Sequence, residues 1–279
     1  MNKFLVLAGT LLTVAIASTE IHAQTTTTPP PPNSREERAK ERRERVNQLI
    51  KQEEEGALIF QKQSAFGLKF NTDGFSLFYE HGKYKTITTT NLWWIEAGER
   101  KDHKQEHQSN LIQAGAGIYV TGNSYVFGKK DNFYFMRLGF GQQKLIGGKG
   151  NKNGVAVSAI YGGGLTAAFM KPYYVQIDKG GNVTQDIKYD GTNANDFLGP
   201  NIIGGSGFTK GWGEVSVVPG VTARTALRFD YGRYNEVLSA LEVGLNAEYY
   251  TQKCQIMVNG ANKNFFLNAY IAIVFGKRK

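Results

Sequence analysis

A period of two in the placement of apolar side chains is the feature that most limits the fold of this chain. From residue 241 to residue 249 every odd position is apolar, while the even positions carry Glu, Gly, Asn and Glu. Residues 267–275 alternate in the same way, and so do residues 221–231, where Thr225 is the one polar residue on the apolar side. Successive side chains of a β-strand point to opposite faces, so the pattern predicts strands with one apolar face.

Further segments with alternating apolar and polar residues extend the pattern over most of the chain after residue 56. Strands are predicted over residues 65–71, 75–84, 87–98, 115–128, 132–143, 154–169, 214–232, 238–249 and 267–275. Short turns are expected at 72–74 and 129–131, and polar loops at 99–110 and 179–211. The segments make nine or ten candidate strands. A single-chain bacterial barrel favours an even number, so eight and ten both remain open.

The first 23 residues have the organisation of a secretory signal peptide. A positive start at Lys3 precedes an apolar run over 4–17 and a more polar stretch that ends at Ala23, where cleavage is expected. The apolar run is shorter than the roughly 20 residues that a transmembrane helix needs. No cysteine follows it, which argues against a lipoprotein anchor. We therefore expect residues 1–23 to direct export.

Two segments separate this signal from the strands. Residues 24–34 are rich in Thr and Pro and are predicted to form an extended spacer. Residues 35–56 are rich in Glu, Arg and Lys, with opposite charges four positions apart, which favours an exposed helix. We predict a charged periplasmic helix with a narrow apolar stripe formed by Val46, Leu49 and Ile50. A periplasmic or outer-membrane partner protein is expected to bind either this segment or the loops between the strands. The acidic residues of this segment, together with export, exclude nucleic acid as a partner.

The amino-acid composition limits the ways in which the fold can be stabilised. Cys254 is the only cysteine, which excludes an internal disulfide framework and a zinc site built from several cysteines. The formal charge of the chain is +9. A basic exported protein can favour anionic surfaces such as lipid phosphates, or it can simply be basic. Both interpretations stay open at this point.

Three features favour a closed barrel in a membrane over a soluble sandwich. An exported sheet of this length without disulfides is best stabilised by closure, which removes exposed strand edges. Aromatic pairs such as Trp93–Trp94, Tyr173–Tyr174 and Phe265–Phe266 gather at predicted strand ends, as in the aromatic belts of spanning barrels. The last predicted strand ends at the aromatic Phe275. We therefore predict that residues 57–279 form an all-β, closed antiparallel transmembrane β-barrel of eight to ten strands in a bacterial outer membrane, in contact with its lipid.

Several segments carry a family resemblance. They are residues 71–75 (NTDGF), 125–133 (YVFGKKDNF), 164–174 (GLTAAFMKPYY), 226–232 (ALRFDYG) and 270–279 (YIAIVFGKRK). This part of the chain resembles small outer-membrane β-barrel proteins of the Bacteroidetes type, a mostly uncharacterised family. The resemblance runs over most of residues 57–279, and FGKRK and KKDN are its most distinctive pieces. It implies the fold and the location, and it brings no catalytic residues.

The chain offers little that points to catalysis. His103 and His107 lie four apart, but in a polar loop rather than on a helix that would direct both at one metal. Ser206 lies between glycines without the spacing of a nucleophile elbow. Residues 147–154 (GGKGNKNG) lack the spacing of a phosphate loop. We expect no catalytic residue, no cofactor and no metal, and we keep a lipid-modifying enzyme as the second alternative function, with Ser206 and His81 as the residues to test.

The inward face of the predicted barrel is more informative. If the apolar faces meet lipid, charged residues of both signs point into the lumen: Lys69, Glu80, Glu96, Arg137, Arg224, Arg228, Asp230, Glu242 and Glu248. A barrel of about eight strands is just wide enough for its own side chains, so mixed charges are expected to pair and fill it. The candidate site is the cluster of Arg137, Arg224, Arg228, Asp230, Glu242 and Glu248. The predicted function is a structural or accessory component of the outer membrane with a mostly filled lumen, and the alternative is a narrow pore for ions or small solutes.

One ion pair can be predicted individually. Residues 221–231 and 238–249 are joined by a short connection and should form an antiparallel hairpin. One register places Arg228 opposite Glu242, Arg224 opposite Asn246 and Asp230 opposite Ala240. A slide by two residues would place Asp230 opposite Glu242, and like charges directly opposed are unfavourable. The first register is therefore preferred.

Overall fold

The computed structural model describes residues 40, 42–44, 61–86, 88–113, 119–150, 154–180, 183–232 and 236–279. The chain divides into two compact units, Met1–Val46 and Asn47–Lys279. The predicted signal peptide and spacer lie outside the described residues. So does the predicted helix over 35–56, except for Lys40 and residues 42–44, which are helical and exposed. Among the described residues, no helix has the length and apolar character needed to cross a membrane.

Eight long strands of the second unit form a closed barrel. Their bounds are β1 Lys62–Asn71, β2 Gly74–Thr86, β3 Thr89–Arg100, β8 Asp131–Gly147, β9 Ala156–Pro172, β13 Ser216–Asp230, β14 Val237–Cys254 and β15 Lys263–Arg278. Around the barrel their order is β1-β15-β14-β13-β9-β8-β3-β2. Each strand is antiparallel to both of its neighbours, and the pairing of β1 with β15 closes the sheet. The strand number is therefore eight, the lower of the two expected values.

The predicted strand over 115–128 is wrong as a barrel strand. Its described part contains only β6 (Tyr119–Thr121) and β7 (Tyr125–Val126), which pair with β5 (Leu111–Gln113) and β4 (His107–Gln108) outside the barrel. Gly122-Asn123-Ser124 interrupts the alternation between β6 and β7, and these residues favour turns over a continuous strand. The 12-residue strand β3 also runs two residues into the region expected to be a polar loop.

The two ends of the barrel differ in their connections. One end, here called the terminal end, holds the start of β1, the end of β15 and the connections β2–β3, β8–β9 and β13–β14. The other, the loop end, holds a tight turn between β1 and β2, the β14–β15 connection and the two longest connections, β3–β8 and β9–β13. The long connections therefore lie at one end only.

The β9–β13 connection is more ordered than a polar loop. It contains β10 (Tyr174–Asp178), β11 (Thr184–Lys188), α1 (Ala194–Phe197) and β12 (Ile202–Gly205), with the three strands in one sheet of order β11-β10-β12. A small apolar core forms from a few widely spaced residues: Tyr125, Val175, Ile177, Phe197 and Ile202. Those residues are too sparse along the chain to give a periodic signal, which is why the segment was expected to be a loop.

The inner and outer faces of the barrel strands have opposite character. Strand β14 alternates between buried and exposed positions through most of its length, and large apolar side chains on its outer face, such as Leu241, Val243 and Leu245, are 41–46% exposed. Trp94 is buried inside, where three glycines of neighbouring strands leave room for its ring. A methyl group at Gly162 would lie 2.8 Å from the Cη2 atom of Trp94, and one at Gly141 would lie 3.1 Å from Cζ3. Glycine therefore makes space in the lumen for a large aromatic side chain.

Candidate functional site: the charged interior of the barrel

All nine charged residues expected to face the lumen are buried there. The exposure of each is 3% or less: Lys69, Glu80, Glu96, Arg137, Arg224, Arg228, Asp230, Glu242 and Glu248. They come from six strands, and each lies at an inward position of the alternating pattern. The structure groups eight of them into two adjoining hydrogen-bonded networks and places Asp230 apart from both.

The β13–β14 hairpin has the register expected from the sequence. Arg228 lies opposite Glu242, Arg224 opposite Asn246 and Asp230 opposite Ala240. Nη2 of Arg228 lies 2.6 Å from Oε2 of Glu242, and Nε of Arg228 lies 3.0 Å from the same oxygen. The pair is thus a direct ion pair in the interior of the barrel.

This ion pair is part of a larger set, here called the Glu242 network, of Glu80, Arg224, Arg228, Glu242 and Tyr270. Nη2 of Arg228 also donates to Glu80 Oε2 at 2.8 Å, so one guanidinium bridges two carboxylates. Glu242 in turn accepts hydrogen bonds from Arg224 and, at 2.5 Å, from the hydroxyl of Tyr270. Nε of Arg224 donates to the same hydroxyl oxygen at 2.9 Å. Glu242 is therefore held by groups from both β13 and β15, whereas Glu80 is held by arginines of β13.

A second set, the Glu96–Glu248 network, lies nearer the loop end. Glu96 accepts from Nζ of Lys69 at 2.7 Å and from Nη1 of Arg137 at 2.6 Å. Arg137 also donates to Glu248, which accepts from Nη2 of Arg100 at 2.9 Å. Arg137 therefore links the two carboxylates across the lumen. Aromatic rings cover the cations: Nζ of Lys69 is 4.2 Å from the Tyr270 ring centroid, and the Arg137 guanidinium carbon is 3.9 Å from that of Phe135.

Asp230 does not join the other five residues of the predicted cluster. It lies at the terminal end, where its carboxylate is 2.5 Å from Nη2 of Arg278 and 3.6 Å from Nζ of Lys149. The hairpin register had already placed Asp230 opposite Ala240 rather than Glu242. The site is therefore two central networks and a separate ion pair at the terminal end.

The expected interior left out Arg100, Lys149 and Arg278. The sequence pattern predicts a polar loop at Arg100, but β3 continues through this residue and places it on the same inward face as Glu96. Arg278 shares the parity of Tyr270 on β15, so extending the alternation past Phe275 would have found it. Lys149 lies between β8 and β9, outside any alternating segment, and no sequence signal placed it inward.

Chemically, these networks fill space and hold strands together. Buried charges are stable only when they are paired and hydrogen-bonded, and here each central carboxylate has at least two donors. Between the central networks and the loops lies an apolar cluster that includes Phe133, Met170, Tyr250, Ile256 and Met257. The interior is thus occupied by side chains at the level of the networks and again toward the loop end.

The residues considered for catalysis do not assemble into a site. Ser206 follows β12 at the loop end, whereas His81 is on the outer face of β2, in the half of that strand nearer the terminal end. The imidazole of His81 lies 2.9 Å from the hydroxyl of Ser64 instead. Because β1 and β2 are hydrogen-bonded to neighbours on both sides, their backbone N–H groups are committed to the sheet and not to an oxyanion. Within the described part of the chain, no group of three or more His, Cys, Asp or Glu residues is arranged to hold a metal.

Comparisons with known proteins find similarity only among solved structures. No protein-family model matches the chain, and no curated protein is significantly similar to it. The chain is similar to the N-terminal β-barrel domain of Pseudomonas aeruginosa OprF, with 10% identity, a TM-score of 0.33 and coverage of 77% of this chain and 96% of that one. Neisserial surface protein A has 10% identity and a TM-score of 0.35, with coverage of 78% and 94%. Ail, the attachment invasion locus protein of Yersinia pestis, has 8% identity and a TM-score of 0.32, with coverage of 79% and 100%. The barrel architecture described here is established by the strand pairing of this chain itself.

Proposed function

We propose that this chain is a bacterial outer-membrane β-barrel protein whose lumen is filled, and that it acts as a structural or accessory component of that membrane. The observation that carries the proposal is the contrast between the two faces of the same strands. The outer face exposes large apolar side chains around the barrel, among them Phe70, Leu77, Leu138, Leu165, Val221, Leu245 and Ile271. A soluble protein rarely exposes a contiguous apolar surface of this kind, whereas a spanning barrel requires one.

The filled interior favours this role over a pore. Arg137 and Arg228 each bridge carboxylates of other strands, so the centre of the lumen is crossed by ion pairs. Conduction needs binding groups that release an ion as readily as they accept it. Carboxylates that already accept several charge-assisted hydrogen bonds are poor candidates for that exchange.

The orientation follows from the connections. Spanning barrels of bacteria have short periplasmic turns and longer extracellular loops, so we assign the loop end to the cell exterior and the terminal end to the periplasm. The β10–β12 sheet and α1 then form an extracellular surface for a partner protein. Residues 35–56 offer a second contact surface, in the periplasm. Membership in the Bacteroidetes-type family of small outer-membrane barrels belongs to the same proposal, as does export through a signal peptide over residues 1–23.

Two measurements test the proposal. The purified protein should stay monomeric only in detergent or lipid, and unboiled samples should migrate differently from boiled samples on a denaturing gel. A protein that is monodisperse in plain buffer would exclude the membrane barrel. In planar bilayers the folded protein should give no discrete conductance steps. Reproducible ohmic steps from the unmodified chain would replace the filled barrel with the narrow pore.

A further inference from the structure

The terminal end of the barrel carries an arc of lysines on its outer face. The arc consists of Lys62 on β1, Lys83 and Lys85 on β2, Lys144 on β8 and Lys277 on β15, and all five side chains are exposed. They lie on four of the five consecutive strands β8-β3-β2-β1-β15, and β3 contributes none of them. The lysines therefore cover one side of the barrel rim, and we call them the lysine arc.

Within the described part of the chain, the lysines of this arc have no acidic side chain at ion-pair distance. Lys62 and Lys83 are directly opposite each other on neighbouring strands, an arrangement that is unfavourable for like charges. None of the five lysines forms an ion pair with a residue that the structure describes. Glu236 is exposed at the same end and precedes Val237, the residue of β14 that lies opposite Lys277. Glu236 forms no ion pair with a lysine of the arc among the described residues. An anion from outside the chain would relieve this repulsion.

Three lysines at the loop end are paired with acidic side chains. Lys179 lies 3.4 Å from Asp196, Lys210 lies 2.5 Å from Asp186, and Lys188 is paired with Glu214. These lysines are similarly exposed, so solvent access alone does not account for the difference. Other exposed lysines at the loop end, Lys253 and Lys263 among them, form no ion pair with a described residue either. The arc is therefore distinguished by the direct opposition of Lys62 and Lys83.

The arc borders the apolar outer face directly. Lys62 and Lys83 begin a continuous row of cross-strand neighbours that continues with Asn91, Gln142 and Tyr161. Gln142 accepts a hydrogen bond from the Tyr161 hydroxyl at 3.0 Å and donates one to Asn91 at 3.2 Å. The next row toward the loop end contains Trp93 and Phe140, both exposed on the outer face. Cations, hydrogen-bonding groups and aromatic rings thus follow one another within two rows, as expected at a lipid–water interface.

We propose that the lysine arc binds the phosphate groups of anionic phospholipids in the leaflet at the terminal end of the barrel. The inference rests on the proposed function, because it requires the outer face to lie in a bilayer. A phospholipid satisfies both parts of the surface at once: its phosphate lies between Lys62 and Lys83, and its acyl chains cover Trp93 and Phe140. A free anion would use only the lysines, and a protein partner would have to displace the lipid from the apolar row.

Tryptophan quenching by brominated lipids tests the arc, because the three tryptophans report on three places. Trp93 lies on the outer face beside the arc, Trp94 is buried in the lumen, and Trp212 is exposed at the loop end. The full chain with Trp212→Phe is reconstituted in mixed vesicles in which either phosphatidylglycerol or phosphatidylcholine is dibrominated. We expect Trp93 to favour phosphatidylglycerol about fivefold, the effect of one lysine near a charged membrane surface.

The variant Lys62→Gln/Lys83→Gln should lose this preference, whereas Lys253→Gln/Lys263→Gln at the loop end should retain it. With Trp93→Phe, Trp212 should show no preference. Equal quenching by the two lipids at Trp93, or a preference that survives Lys62→Gln/Lys83→Gln, would overturn the lipid site while leaving the membrane barrel intact. Quenching by neither lipid would overturn the proposed function itself.

Discussion

The two faces of one strand follow opposite rules. On β14, Leu241 is 41% exposed on the outer face, whereas its neighbour Glu242 is fully buried inside. In a soluble barrel the apolar residue would be the buried one. Here the apolar side chains line the outside, and the charges of the inside are paired with one another rather than with water. The barrel is therefore stabilised by different forces on its two faces, and each can be tested separately.

This contrast explains why the interior can be so polar. Closure lets every strand pair on both sides, so the backbone needs no stabilisation from side chains. The lumen then has to be filled, and long Arg, Lys and Glu side chains reach across it while aromatic rings cover their apolar stems. The cost is that no single member of a network can be lost without leaving its partners buried and uncompensated.

The largest effect should come from breaking the inner face. Glu242→Gln leaves Arg224 and Arg228 with Glu80 as their remaining carboxylate, so the free energy of unfolding should fall by about 3–5 kcal/mol. Denaturant unfolding from lipid vesicles, followed by circular dichroism, measures this. The exposed Glu236→Gln at the terminal end is the matched control and should change stability by less than about 0.5 kcal/mol. Equal effects of the two substitutions would contradict the role of the network.

A somewhat smaller effect is expected on the outer face. Leu245 lies near the middle of β14 and is 46% exposed, so Leu245→Arg should cost about 2–4 kcal/mol in a bilayer. Thr251→Arg, near the loop end of the same strand, should cost about 0–1 kcal/mol because the headgroup region accommodates charge. Vesicle unfolding of the two variants gives the comparison. If Leu245→Arg proves as mild as Thr251→Arg, the outer face does not lie in hydrocarbon.

A double-mutant cycle on Arg228 and Glu242 measures the coupling energy between these two side chains of the inner face. Removing both partners leaves Arg224 and Glu80, whose charged atoms are 3.9 Å apart and can pair with each other. The double variant Arg228→Met/Glu242→Leu should therefore be more stable than the sum of the single losses predicts, with a coupling of about 0.5–3 kcal/mol. If each side chain were solvated in the lumen and independent of the other, the losses in the free energy of unfolding caused by the two single substitutions would instead be additive.

The barrel strands were predicted well from the sequence, because alternating apolar and polar residues show directly which side chains of a strand share a face. Residues 241–249 fix which side chains face inward, and the short connection to β13 fixes the register that places Arg228 opposite Glu242. Parity along single strands likewise placed Lys69, Glu80 and Glu96 inside. What parity cannot show is which inward residues from distant strands meet, because that depends on the order and stagger of the whole barrel. The contact between Arg137 and Glu248, 111 residues apart, is of that kind.

Irregular segments were predicted poorly, for the same physical reason. Lys149 reaches the interior from a connection that has no period, and the β10–β12 sheet is built from short strands around a few apolar residues. The segment over 115–128 alternated enough to suggest a barrel strand, although a Gly-Asn-Ser turn divides its described part. Short strands outside the barrel depend on tertiary contacts more than on their own sequence.

The smallest effect concerns a buried cation that departs from the pattern of the inner face. Lys129, just before β8 at the loop end, is 5% exposed and forms no ion pair among the described residues; its Nζ donates to Gln105 at 3.2 Å. Burial lowers the pKa of Lys129 to about 8, and the negative charge of Glu99 offsets only part of that effect. Between pH 8 and the ordinary lysine range near 10.5, the unfolded chain therefore binds more protons than the folded one, so stability should rise with pH across this window. Lys129→Met should raise the free energy of unfolding by about 1 kcal/mol at pH 7 and make that rise smaller, whereas exposed Lys101→Met should do neither. Unfolding titrations at pH 7, 8.5 and 10 measure both effects, and a wild-type stability that stays flat over this range would show that Lys129 is solvated rather than buried.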